Sequence, residues 1–285
     1  MSGVSHLPIL VFIFGLCIGS FLNVCIWRLP QNISIIQPRS FCPYCKKPIA
    51  WYDNIPLVSY IILRGRCRWC SHKISFRYFL IELITGLIFL FSYLKFGLSF
   101  DFFVSVSLLS FSLLVSVIDI DYRAIPSYLP MVAVCLALVL FTLRSYQLIR
   151  SGSLEKISNI PLFLSFQGMF IAVGFAYFFK MLGDFLLLVY LRLKRQESLE
   201  GETEALGLGD VDFMAVLGAF LGFKKAILIF FLAPFLALLY GVYVIIFRRS
   251  HLLPYLPYLS LATAGVVFYS DYIFRILHNL GIVGI

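Results

Sequence analysis

Unbroken apolar blocks dominate this sequence. The first runs from Leu7 to Trp27, and others start near Tyr78, Asp101, Tyr128, Ile160, Leu206, Lys225 and Pro254. A helix needs about 20 apolar residues to cross the hydrocarbon core of a bilayer. In lipid, a helix also satisfies its own backbone hydrogen bonds. The composition agrees: 61% of residues are hydrophobic and 13% charged, where a soluble domain carries roughly 25% charged residues. The expectation is an all-α polytopic membrane protein with about eight transmembrane helices. The block from Ile160 to Leu191 is longer than one span needs, so it is expected to be tilted or broken near Gly183. No small-residue cleavage site follows the first block, which is therefore read as a retained span.

Charge orients the spans. Residues 28–77 hold Arg28, Arg39, Lys46, Lys47, Arg64, Arg66, Arg68, Lys73 and Arg77 against the single acid Asp53. By the positive-inside rule this segment is cytosolic and the N-terminus lies outside. The chain then divides into a first transmembrane helix (1–27), a cytosolic loop domain (28–77) and a membrane core of about seven helices (78–285). Alternation places Asp119–Arg123 at the cytosolic end of the third span, and 192–206 in a cytosolic loop. Membrane topology accounts for the net charge of +9, so the expected partner is the lipid bilayer and not nucleic acid.

The first loop carries Cys42-Pro43-Tyr44-Cys45 and, 21 residues later, Cys67-Arg68-Trp69-Cys70. Two such knuckles can close a tetrahedral thiolate site around zinc, although the gap is slightly longer than usual for paired motifs. Disulfides are disfavoured in the cytosol, and the flanking basic residues favour thiolates. A structural Zn2+ held by Cys42, Cys45, Cys67 and Cys70 would let a short loop fold with little core of its own. Four unligated thiols or a redox pair is the alternative. Cys17, Cys25 and Cys135 lie in apolar runs and read as small packing residues.

Acids at membrane depth are costly and become functional candidates. Two groups stand out. Asp119 and Asp121 end an apolar run just before Arg123 and Pro126. Asp210 and Asp212 follow Gly207-Leu208-Gly209. Successive helical residues point about 100° apart, so within each group only one carboxylate faces a given neighbour. Arg123, four residues on, is placed to pair with Asp119. Two carboxylates brought close share one proton, one acting as base on a water while the other polarises a carbonyl. The competing readings are helix capping and a proton or ion carrier. A carrier would place its acids near the bilayer midplane, whereas these lie at helix ends.

The motifs, taken in order, resemble the type IV prepilin leader peptidase family, whose members are often both peptidase and N-methyltransferase. The resemblance runs through Gly15 to Val24, Arg28-Leu29-Pro30 and the two cysteine knuckles. It continues with Trp51 to Pro56, Tyr78 with Glu82, Asp119 to Pro126, and Gly207-Leu208-Gly209-Asp210. It implies that Asp119 and Asp210 are the catalytic aspartates, Asp119 being chosen over Asp121 by its place seven residues before Pro126. It implies that the four cysteines ligate zinc. It also implies prepilin or pseudopilin substrates cut on the cytosolic side of the bacterial inner membrane, after a glycine, with S-adenosylmethionine as methyl donor for the new N-terminus. Asn23, Arg28 and Glu82 are candidate contributors to methylation; the residues that bind the donor are not identified. The sequence departs from the pattern at Asp212, where the family carries lysine, and at Leu256, where it favours glycine.

Overall fold

A computed structural model describes residues 6–152, 159–194, 204, 206–248 and 255–279. Most of the expected 192–206 loop, together with Pro254, falls outside the described residues. The described residues hold helices α1 (Leu7–Arg28), α2 (Val58–Ile62), α3 (Phe76–Phe96), α4 (Phe100–Tyr122) and α5 (Tyr128–Arg150). Then come α6 (Pro161–Lys194), α7 (Leu208–Leu221), α8 (Phe223–Arg248) and α9 (Leu256–Asn279). A helix thus begins within a few residues of each expected start, though not every one is long enough to be a span, and no strand forms among the described residues. Among the described residues five helices, α1, α3, α4, α5 and α6, are long and apolar enough to cross a membrane. Helix α7 has 14 residues; at about 21 Å it is shorter than the hydrocarbon core.

Helix α6 does not break at Gly183. It runs for 34 residues, about 51 Å, which exceeds a bilayer core of about 30 Å. A glycine inside a helix costs only about 1 kcal/mol. Here Lys180 and Asp184 bridge that turn with an ion pair at 3.1 Å. Large apolar side chains on its surface, such as Phe170 and Phe178, are exposed, as a lipid-facing surface requires.

The chain forms two compact units, Met1–Ser110 and Phe111–Ile285. In the first, α1 and α3 cross closely. A Cβ on Gly19 would lie 2.7 Å from the Glu82 Cα, so only a bare backbone fits there; small residues let membrane helices approach in this way. Val11, Phe89, Phe102 and Val106 form the apolar core beside this crossing. Ser75 starts α3 by accepting a hydrogen bond from the Arg77 amide at 3.3 Å, the usual role of a serine cap.

In the second unit α6 and α7 cross at Gly168 and Gly218, where a Cβ on either would collide with the other's carbonyl. The Ser165 hydroxyl donates to the Ala219 carbonyl at 2.8 Å across the same crossing. Phe175 and Phe179 of α6 pack against Phe230 and Phe231 of α8 with ring centroids 5.3–5.9 Å apart. The Ser116 hydroxyl bonds the Ser260 hydroxyl at 2.6 Å, and Ser260 donates to the Ser112 carbonyl at 3.1 Å, tying α9 to α4.

Candidate active site and metal centre

In the second unit the end of α4 meets the start of α7. Phe111 and Phe213 stack with centroids 6.2 Å apart, and Ile125 lies 3.8 Å from where a Cβ would stand on Gly209. This brings Asp119 close enough for its charge to act on the Asp210 carboxylate. Asp210 is 9% exposed and Asp119 is half-buried, while Asp121 is exposed and Asp212 half-buried. The angular argument separated Asp119 from Asp121 on the same grounds.

Local chemistry holds each aspartate. Asp210 is the third residue of α7, and its carboxylate accepts a hydrogen bond from the amide of Gly207, the residue before the helix. This is half of a capping box. A Cβ on Gly207 would stand 3.4 Å from an Asp210 carboxylate oxygen, so the glycine leaves room for the side chain to fold back. Asp119 accepts from the Leu256 amide at the start of α9. Arg123 acts on Asp119 by charge and turns into the left-handed region at φ 52°. Helix α4 therefore stops at Tyr122, ahead of Pro126, in line with the restriction proline places on the residue before it.

Two further groups were not legible as parts of this site. Lys180 of α6 is buried and its Nζ donates to the Leu206 carbonyl at 2.9 Å. It also bonds Glu204 and pairs with Asp184 at 3.1 Å. This clamp grips the strand of chain that leads into Asp210, and its charge reaches the Asp210 carboxylate. Tyr255 also lies within range of Asp210's charge, and its hydroxyl donates to the Phe230 carbonyl at 3.2 Å. A positive charge therefore does reach Asp210, though from α6 and not from position 212.

The first unit holds the cysteine cluster. The two knuckles fold alike. The Cys42 amide bonds the Lys47 carbonyl at 3.0 Å, and the Cys67 amide bonds the His72 carbonyl at 2.9 Å. Lys46 and Ser71, each following the second cysteine of its knuckle, take positive φ of 59° and 55°. The knuckles interlock, with Tyr44 stacked on His72 and the Lys47 ammonium 4.6 Å from the Trp69 ring centre. All four Sγ atoms lie within 4.8 Å of one another, and Cys42 Sγ is 3.8 Å from Cys70 Sγ. A tetrahedral ion with bonds of about 2.3 Å sets its sulfurs about 3.8 Å apart, so this donor set fits zinc. Backbone amides of Cys70 and Trp69 draw the Cys67 thiol down to about 7, which readies one ligand as thiolate. Asp53 ties the loop together through Arg68, whose Nε donates at 2.7 Å and whose second nitrogen pairs at 2.5 Å. That guanidinium holds the Asp53 carboxyl below its ordinary range.

A cavity of about 480 Å3 opens in this unit between α1, the knuckles and α3. Asn23 donates to the Tyr78 carbonyl at 3.0 Å, and buried Arg28 donates to the carbonyls of Ser34 and Pro38, each at 2.8 Å. These two residues brace the fold around the cavity. Glu82 accepts from the Leu57 amide at 2.8 Å and from the Ser20 hydroxyl.

Comparison with known proteins places both halves. Residues 13–96 match the model described as the bacterial peptidase A24 N-terminal domain. Residues 106–242 match the type IV leader peptidase family. A type 4 prepilin-like proteins leader peptide-processing enzyme of Escherichia coli is 35% identical over 92% of this chain and 94% of its own length. A prepilin leader peptidase/N-methyltransferase of Bacillus subtilis is 30% identical over 90% of this chain and 91% of its own. One of the same name from Myxococcus xanthus is 35% identical over 76% of this chain, which spans 56% of that longer relative. No solved structure matches the chain.

Proposed function

The chain belongs to the type IV leader peptidase family, and we propose that it removes the basic leader of prepilins or pseudopilins with Asp119 and Asp210 and then N-methylates the new N-terminus. The observation that carries this reading is the packing of α4 and the turn after it against the start of α7, through Phe111 on Phe213 and Ile125 on Gly209, beside the half-buried Asp119 and the buried Asp210. Two carboxylates so placed hold one proton between them. The ionised one takes a proton from a water, whose oxygen adds to the scissile carbonyl. The protonated one gives its proton to the carbonyl oxygen. Collapse of the tetrahedral species expels the amine, which leaves protonated. The Leu256 and Gly207 amides hold the two carboxylates in register, and the Lys180 clamp sets the approach to Asp210.

Residues 78–285 form the peptidase core in this reading, and 28–77 the methyltransferase-associated loop. The chain is a multi-pass membrane protein of the inner membrane, with its N-terminus outside and both sites on the cytosolic side, as the basic bias of 28–77 supports. The leader then stays in the cytosol while the apolar stalk of the substrate lies in lipid. The four cysteines hold Zn2+ and close the knuckles. S-adenosylmethionine, when bound, supplies an electrophilic methyl group. The test is incubation of purified protein with a prepilin and labelled S-adenosylmethionine, read by mass. Loss of the leader and gain of one methyl group on the mature chain are expected. An intact prepilin would overturn the reading.

A further inference from the structure

We infer that the cavity of the first unit binds the methyl donor, a nucleoside sulfonium with a zwitterionic amino-acid tail, and that Glu82 takes the proton from the substrate's new terminal ammonium. This inference rests on the methyltransferase reading above. The cavity, at about 480 Å3, is of ordinary small-molecule size. Its walls carry aromatic planes from Trp27, Phe41 and Tyr78 together with cations and carboxylates. A purine stacks on such rings, and a sulfonium is drawn to their faces.

Two acids line the cavity, Asp53 and Glu82. Asp53 is committed to the Arg68 guanidinium through two bonds. Glu82 is held by neutral donors only, the Leu57 amide at 2.8 Å and the Ser20 hydroxyl. No cation pairs with it among the described residues. Its orientation is fixed while its negative charge is left for the substrate's terminal ammonium. It stands at the seventh residue of α3, about 9 Å along the helix, pressed against α1 at Gly19. A carboxylate set this far into an apolar helix is costly, and a cationic ligand offsets that cost.

The chemistry needs such a group. A terminal amine has an ordinary pKa of about 7.7–8.0 and is largely protonated at neutral pH, so its lone pair is blocked. The Glu82 carboxylate accepts one ammonium proton. The freed lone pair forms the N–C bond to the methyl carbon, and the C–S bonding electrons return to sulfur. A thioether and an N-methylammonium result, and Glu82 passes its proton to water.

Glu82→Gln keeps the size of the side chain and an acceptor for the Leu57 amide. It should cleave prepilin as the wild type does and bind S-adenosylhomocysteine, by calorimetry, within about threefold of wild type. Its methyl transfer should fall by about 100-fold or more, the span of general-base effects. Methylation within threefold of wild type would overturn the role of Glu82. Ultraviolet cross-linking of radiolabelled S-adenosylmethionine to wild-type protein, mapped by peptide mass, should mark residues 20–82. Label elsewhere would overturn the site, and this map alone decides should Glu82→Gln fail to accumulate. A wild type that cleaves but neither binds the donor analogue nor methylates overturns the methyltransferase reading itself, and the inference with it.

Discussion

Replacing Lys180 with methionine removes the clamp on the chain entering Asp210 while keeping the length of the side chain. The bond from Nζ to the Leu206 carbonyl is charge-assisted and worth about 1.5–3 kcal/mol. The pairs with Asp184 and Glu204 add less, because those side chains are 32% and 52% exposed and water screens them; about 0.5 kcal/mol each is reasonable. Methionine fills the space with little packing loss. The clamp therefore loses about 2.5–4 kcal/mol. About half of that should fall on the placement of Asp210 in the transition state, the rest on local order of the segment. At 1.36 kcal/mol per tenfold in rate, kcat should drop by about 8- to 30-fold. KM should hardly move, since Lys180 is buried and its loss acts on the placement of a catalytic group. The assay is steady-state cleavage of a purified prepilin in detergent by Lys180→Met and wild type at equal folded concentration. A kcat within twofold of wild type, or a loss confined to KM, would refute the clamp.

Metal analysis of purified protein should find one zinc per chain, retained on dialysis and lost from a Cys42→Ser/Cys67→Ser variant; metal-free wild type would contradict the fit of the four sulfurs. Gly168→Leu should collapse the α6–α7 crossing, because even a Cβ there strikes the Gly218 carbonyl. We expect a loss above about 3 kcal/mol, seen as failure to accumulate in membranes, whereas substitution at Gly174, which faces open space, should be tolerated.

What was legible in the sequence followed from strong local signals. Apolar blocks announced where long helices start, since lipid leaves a chain little other choice. The Cys42 and Cys67 knuckles were legible because four thiols at such spacing have few other uses. Angular separation on a helix predicted that Asp119 and Asp121 would part company, and they do. The misses share a cause, which is contact between residues far apart in the chain. Lys180 reaches Leu206 across 26 positions, and nothing near Lys180 marks it as a partner of the segment before Asp210. The Leu256 amide donating to Asp119 is a backbone group, which carries no sequence signature. Of the two alternatives for the long block, tilted or broken near Gly183, the helix is unbroken: the Lys180–Asp184 pair spans the glycine, and a single glycine costs less than an interrupted helix. The pairing of Asp119 with Arg123 was half right: the charge is near, yet the arginine's left-handed backbone ends the helix.

Peptide cleavage by this protein requires Asp119 and Asp210 to act as a pair. The direct measurement is cleavage of a prepilin by Asp119→Asn, Asp210→Asn and Asp121→Asn proteins, each present in membranes at wild-type level. No detectable cleavage is expected from the first two and near-normal cleavage from the third. Full cleavage by Asp119→Asn or Asp210→Asn would contradict the pair.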